Sequence, residues 1–183
     1  MQNEVSSAFS YLCHDNWKIS IRQRIKCETN EYQFYFMIRK LAKTEYPQAI
    51  ELSLAVFTEC GKADYDEEGL ETFKSFIGNE QLMDELTIYG AFCNNELVGI
   101  MGSKNEGKHI SLFFIKPIYH RRGIGRKLFD YAYTLNELST TEITVNASTY
   151  AVPFYESLGF QPIGDTQCYH GLTSIPMKKR KQP

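Results

Sequence analysis

Hydrophobic positions along the chain switch between a period of two and a period of about 3.6, and the order of switching outlines a fold. Residues 34–41 set Phe34, Phe36 and Ile38 against Tyr35, Met37 and Arg39, the alternation of a strand. Pro47 suits a first helical turn, and Ile50, Leu54 and Phe57 then fall at helical spacing. Beyond a turn at residues 64–66, Leu70, Phe73, Phe76 and Ile77 mark a second helix that stops at Gly78. Alternation returns in residues 86–93 and 97–103, joined by the hairpin pair Asn94-Asn95. It returns again in residues 108–116, after the turn Asn105-Glu106-Gly107. The next helix carries Ile124, Leu128, Tyr131, Ala132 and Leu135 on one face and Arg126, Lys127, Asp130 and Thr134 on the other. Residues 142–146 form a short strand. Ser148 or Thr149 can cap a helix with Pro153 in its first turn and Gly159 at its end. Residues 160–163 and 167–177 read as closing strands.

This order predicts one α+β domain, a mixed, mostly antiparallel central sheet with helices on both faces. It spans residues 34–177. Residues 1–33 are polar and weakly patterned, with a hint of strand at Ile19, Ile21 and Ile25, and read as an N-terminal extension. Residues 178–183 read as a basic C-terminal tail, expected to be solvated.

The most informative junction is the one after the strand at 108–116. His120-Arg121-Arg122-Gly123-Ile124-Gly125-Arg126-Lys127 bridges it to the following helix. Amides at a helix N-terminus have no intrahelical partner and carry partial positive charge. Glycines let an anion approach such amides closely, and Arg121, Arg122, Arg126 and Lys127 add formal charge. The pattern fits a phosphate or pyrophosphate; it also fits a strand–helix turn with solvated arginines. A P-loop is excluded because Gly-x-x-x-x-Gly-Lys-Ser/Thr is absent, and a dinucleotide fingerprint would need a small third residue where Leu128 stands.

Composition narrows the partners. The chain has 183 residues, 43% of them hydrophobic, enough for one domain with a core. A net charge of −2 gives no global field for nucleic acid or an anionic membrane. Five cysteines, Cys13, Cys27, Cys60, Cys93 and Cys168, are odd in number and contain no Cys-x-x-Cys, which suits free thiols and a cytoplasmic setting. No apolar run approaches the ~20 residues of a membrane span, and no signal peptide is expected. His14, His120 and His170 lack ligand spacing, so no metal site is expected.

With Ser111-Leu112-Phe113-Phe114-Ile115-Lys116-Pro117, the loop at 120–125, Asn146, and Tyr155-Glu156-Ser157-Leu158-Gly159-Phe160 in this order, the chain resembles the GCN5-related N-acetyltransferase (GNAT) superfamily over roughly residues 34–177. The family's loop reads Gln/Arg-x-x-Gly-x-Gly/Ala; His120 departs from its first position. The resemblance implies the GNAT (acyl-CoA N-acyltransferase) fold and acetyl-coenzyme A as cofactor. The pyrophosphate would sit on amides from Arg121 through Gly123, Ile124 and Gly125 to Arg126, with His120 and Arg122 in the same loop. The pantetheine arm would pair as a pseudo-strand beside residues 112–115, where the strands at 108–116 and 142–146 splay apart. A backbone N–H near Phe114 or Ile115, beside Phe113, would hold the acetyl oxygen.

Acetyl transfer to an amine requires a deprotonated amine, alignment, oxyanion donors and a proton for the departing thiolate. Tyr155 sits at the family's general-acid position; read by its neighbours Val152, Phe154 and Leu158, it is equally a core tyrosine. His109 has the intrinsic pKa of a base, and strict alternation would put residues 109, 111, 113 and 115 on one face, with Ser111 able to relay a proton through water. His109 also fits an exposed residue beside the Gly107 turn. Asn146 is either a turn residue or, by the resemblance, a group that positions the cofactor arm or a water. Glu59, Asp64, Asp66 and Glu67 lie where the family forms its acceptor loop; they could read a cationic substrate, but an acidic turn is more often solvated. The expectation is an N-acetyltransferase acting on the primary amine of a small molecule or peptide. The alternatives are a non-catalytic acyl-CoA-binding sensor or interaction module and a nucleotide-phosphate-binding domain. The resemblance admits a homodimer.

Overall fold

The computed structural model describes residues 21–25, 34–135 and 141–180. Nine strands and five helices alternate through them: β1 (Ile21–Ile25), β2 (Phe34–Lys40), α1 (Tyr46–Cys60), α2 (Glu67–Ile77), α3 (Glu80–Asp84), β3 (Thr87–Cys93), β4 (Glu96–Lys104), β5 (His109–Ile115), α4 (Ile124–Leu135), β6 (Glu142–Ala147), α5 (Val152–Ser157), β7 (Gln161–Pro162), β8 (Gln167–Tyr169) and β9 (Leu172–Arg180). The sheet order is β1-β2-β3-β4-β5-β6-β9-β7, with β8 paired to β9. Among these pairs β5–β6 alone is parallel.

Turn chemistry fixes the register. Asn94 and Asn95 both take positive φ (49° and 67°), the left-handed pair a tight hairpin with right-handed twist requires. Two cores lie on opposite faces of the sheet. One packs α4 and α5 (Leu128, Phe129, Ala132, Tyr155, Leu158) on Val98, Met101, Ile110 and Val145. The other packs α1 and α2 (Leu52, Val56, Phe73, Ile77) on Ile88, Ile100 and Leu112. The expected face of α4 is buried at Ile124, Leu128, Tyr131 and Ala132, and Phe129 joins it.

β1 falls where Ile21 and Ile25 hint at a strand within residues 1–33, and it pairs antiparallel with β2; Ile19 falls outside the described residues. Two sequence expectations change. The single strand expected over 167–177 is a hairpin, β8–β9, because His170 (φ 45°) and Gly171 (φ 74°) turn the chain. The basic run expected to be a solvated tail is the end of β9 as far as Arg180. Lys178 and Arg180 both reach Glu142 across the strand pair at 3.3 Å, and Lys179 donates to Leu158 C=O at 2.8 Å. α3, a single turn capped by Asn79, was too short to show a period.

Candidate active site in the splay between β5 and β6

β5 and β6 pair only at His109↔Thr144 and Ile110↔Val145, then separate. The cause is local. Opposite Gly102 and Ser103 of β4 stand Leu112 and Ile110, so Ser111 is an extra residue, a β-bulge. A bulge bends its strand and leaves one residue unpaired. Here it lies one residue past the last β5–β6 pair and coincides with the parting of the two strands. It also breaks the alternation. Ile110 packs with Phe113 and Ile115 in the α4–α5 core, whereas Leu112 and Phe114 face the α1–α2 core. The expectation that residues 109, 111, 113 and 115 share one face is therefore incorrect. The Oγ atoms of Ser111 and of its neighbour Ser103 are buried without a hydrogen-bond partner among the described residues.

Beyond the bulge, β5 presents an open edge. Lys116 N–H donates to Val98 C=O at 2.9 Å. Ladder groups alternate. Phe114 therefore also directs its backbone to β4, while Phe113 and Ile115 direct theirs into the gap. Ile115 C=O, on the gap side, accepts from His120 Nε2 at 2.7 Å. His120 Nδ1 lies 3.4 Å from Tyr150 Oη, so donation by Nε2 leaves Nδ1 to accept from the phenol. The side chain of His120, not its backbone alone, thus ties the loop to the strand end. Gly99 makes room for this end of β5: a Cβ there would stand 2.2 Å from Ile115 Cδ1.

The loop then turns into α4. Arg121 (φ 58°) and Gly123 (φ 75°) are left-handed, a pattern that gathers successive amides into a concavity suited to anions. A Cβ on Gly123 would meet nothing within 4 Å, so its side faces open space. Lys127 N–H closes the first helical bond to Gly123 C=O, which leaves the amides of Ile124, Gly125 and Arg126 ahead of the α4 ladder. The two glycines differ in purpose. Gly125 lies under the Phe154 ring, 3.0 Å from the position of a Cβ, and lets α4 and α5 approach. Arg126 donates through its guanidinium to Ser157 C=O at 2.6 Å, so what it offers the loop is its backbone amide. Arg121 and Arg122 are exposed, with Arg122 over the Tyr119 ring.

Tyr155 projects from α5 into the α4–α5 core at 4% exposure, its ring edge-on to Phe113, Phe154 and Phe160. Burial alone pushes its phenol well above the usual range. His109 stands at the closed end of the splay, with Nδ1 2.9 Å from Thr144 Oγ1. Its imidazole is pushed below the usual value, first by burial and second by Lys104. Asn146 is exposed on β6, opposite Pro176 of β9 and on the sheet face away from Val145.

The loop between α1 and α2 and the β8–β9 turn pack together on the α1–α2 side. Asp66 caps α2 by accepting from Gly69 N–H at 2.9 Å, while Glu67 is exposed. Asp64, expected as part of a solvated turn, is instead buried at 4% exposure and bonded to Thr149. The Asp64 contact has no local sequence signal, since its partner is 85 residues away in the chain; His120 reaches a carbonyl only five residues away, but the loop pattern does not mark its side chain as the donor. Among the described residues, no group of three His, Cys, Asp or Glu side chains could hold a metal ion, and no helix is long and apolar enough to cross a membrane.

A mostly antiparallel sheet opened at one parallel pair, with a glycine loop and helix at the end of the opened strand, defines the acyltransferase class to which the sequence pointed. The family model described as Acetyltransferase (GNAT) domain matches residues 62–181, and the chain belongs to that family. Among curated proteins, the chain is 36% identical over 61 residues to the peptidyl-lysine N-acetyltransferase YjaB of Salmonella typhimurium; the match covers 33% of this chain and 41% of that relative's length. Among solved structures, a GCN5-related N-acetyltransferase from Rhodopseudomonas palustris superposes with a TM-score of 0.68 at 22% identity, over 79% of this chain and 94% of the other. The PaiA N-acetyltransferase of Thermoplasma acidophilum, solved with coenzyme A, gives 0.65 at 22% identity over 80% and 99%. At these identities the structures establish the shared fold.

Proposed function

We propose that the chain is an acetyl-CoA-dependent N-acetyltransferase acting on a primary amine. The observation that carries this reading is the open edge of β5 at Phe113 and Ile115, continuous with the amide-lined loop at 121–126. An unpaired edge recruits an extended, amide-bearing ligand, and a concavity of amides recruits a diphosphate. Coenzyme A joins those two chemistries in one molecule. The residues fit it: Gly123 leaves its approach open, the backbone of Phe113 and the N–H of Ile115 are directed to the gap, and Ile115 C=O is bonded to His120. Bound there, acetyl-CoA supplies a thioester whose acetyl group passes to the amine. Ile115 N–H, with Phe113 N–H beside it, orients the acetyl oxygen. Tyr155, kept neutral by burial, holds a proton at Oη for the departing sulfur. Asn146, across the gap, positions the arm or a water. Phe114 serves through its side chain in the α1–α2 core, not through its backbone.

His109 does not carry the base role in this reading. Strand rise puts it roughly 13–20 Å along β5 from Phe113 and Ile115, and Thr144 engages its ring. We assign it to holding the parallel pair together. The acceptor lies on the α1–α2 side, against the rim that the 61–66 loop and the β8–β9 hairpin form together. The match to a peptidyl-lysine N-acetyltransferase makes the lysine amine of a peptide a first candidate. The setting is cytoplasmic, where acetyl-CoA and free thiols coexist.

The test is release of coenzyme A thiol from acetyl-CoA with a panel of lysine peptides, polyamines and aminoglycosides. Amine-dependent release is expected. Coenzyme A binding with no release for any amine would make the chain a sensor on the same fold.

A further inference from the structure

Asp64 is a buried carboxylate that acetyl transfer leaves without a task. It sits between α1 and α2, yet its side-chain bonds lie elsewhere. Oδ1 accepts from Thr149 N–H at 3.0 Å and from Thr149 Oγ1–H at 2.6 Å, and Oδ2 lies 3.5 Å from Tyr150 N. Its backbone C=O accepts from Thr173 N–H of β9 at 2.7 Å, and its N–H donates to Gly61 C=O at 2.8 Å. One residue therefore joins the α1–α2 loop, the β8–β9 hairpin and the segment that follows β6. Bonds from N–H and O–H to a carboxylate are shorter and stronger than neutral ones. Of the two expected caps, Ser148 or Thr149, Ser148 makes no side-chain cap bond; the amide of Thr149 is capped by Asp64 instead.

What Asp64 joins is hydrogen-bonded structure on both sides. On the rim, Asp66 N–H donates to Gly171 C=O at 3.2 Å, Thr72 Oγ1 donates to His170 C=O at 2.9 Å, and Tyr65 bridges Leu172. A Cβ on Gly171 would lie 2.1 Å from Asp66 Oδ1, so α2 and the hairpin turn are in direct contact. On the other side, Thr149–Ala151 is a 3-10 turn that runs without a break into α5, six residues from Thr149 to Tyr155. A helical run transmits a shift at its start to its far end.

We propose that Asp64 is a positioning residue: its carboxylate fixes the acceptor rim relative to the helix that bears Tyr155, and so sets where an incoming amine stands. The catalytic half of this proposal rests on the acetyltransferase reading; the structural half does not. The test compares the full chain with Asp64→Ala, Asp64→Asn and Thr149→Val in three measurements: coenzyme A affinity by calorimetry, thiol release with an amine the wild type turns over, and hydrogen exchange of the Thr149 and Thr173 amides by NMR. In Asp64→Ala, coenzyme A affinity is expected to stay within twofold, kcat/KM for the amine to fall at least tenfold with a rise in KM, and both amides to exchange at least tenfold faster. Asp64→Asn, which keeps an oxygen for Thr149 N–H, is expected to restore part of each effect. A contribution to stability alone would lower the melting temperature and leave KM unmoved. A folded Asp64→Ala with amine kcat and KM within twofold of wild type, or with unchanged exchange at Thr149, overturns the proposal. If Asp64→Ala does not fold, Thr149→Val decides in the same way, through a smaller rise in amine KM or none. If the wild type binds no coenzyme A, the acetyltransferase reading falls, and exchange alone decides whether Asp64 is the fastening.

Discussion

At Tyr155 one oxygen atom decides between a core residue and an acid. The ring is packed on three aromatic neighbours, so Tyr155→Phe retains the packing and removes only the hydroxyl. Loss of a positioned acid costs about 10²-fold in rate. We therefore expect kcat to fall by about that factor with coenzyme A affinity unchanged; an unaltered kcat would return Tyr155 to the core. Burial raises its pKa, so the neutral phenol is the favoured form in the folded chain. The stability that goes with this is complete below the ordinary phenol value of about 10 and is lost as pH rises above it. Gly123 is the second deciding residue. At φ 75° with open space beside it, a side chain there strains the backbone and reaches only what occupies the loop. Left-handed backbone costs about 1–2 kcal/mol in a non-glycine residue, and a carboxylate beside a diphosphate adds repulsion. Gly123→Glu is expected to weaken coenzyme A binding by about a hundredfold or more while melting only slightly lower. Equal affinity in titration would remove the loop from the cofactor site.

At the scale of the element, β5 is two strands joined by a bulge. Its first two residues belong to a parallel pair with β6, and its last three are an edge. His109 reports on the closed part. Its pKa is lowered by burial and then by Lys104, so the folded chain prefers neutral imidazole and the unfolded chain binds the proton more readily. The corresponding stability is complete above the unfolded value of about 6.5 and is lost as pH falls through the lower folded value. Urea unfolding at a series of pH values should show this decline in the wild type and a flatter profile in His109→Gln. Equal profiles would remove the closed end as a pH-sensitive point. The open part depends on Gly99 of β4. Gly99→Val drives a methyl-bearing Cβ into Ile115 and toward Phe114 C=O, at 2.2 and 3.2 Å. Overpacking of this kind costs about 1–3 kcal/mol. We expect that cost to appear as weaker coenzyme A binding through displacement of the edge, and undiminished affinity would argue that the edge is not used.

At the scale of the molecule, periodicity and turn chemistry made the sheet and its helices readable in advance. The alternation at 34–41 and 86–103, the Asn94-Asn95 turn and the stripe on α4 each encode an element from its own residues. The glycine loop was readable for the same reason: left-handed backbone at Gly123 and amides at a helix start are local properties. What could not be read was set by partners on other elements. The bulge at Ser111 exists because β4 pairs out of step, and no pattern within 109–115 shows it; hence the misplaced face of His109. Asp64 looked like a turn carboxylate because Thr149 is 85 residues away. The run from Lys178 to Arg180 looked like a tail because Glu142, which completes its pairing, lies on another strand.

The claim on which the rest depends is that the opened edge of β5 and the loop behind it receive coenzyme A. Isothermal titration of the full chain with acetyl-CoA and with free coenzyme A, paired with melting curves, tests it most directly. Ligand at about a hundred times its Kd adds about 2.7 kcal/mol, which for a chain of this size raises Tm by about 5–10 °C. The account requires saturable heat at one site, a shift of that order, and loss of both in Gly123→Glu. Absence of heat and of any shift at millimolar ligand would contradict it.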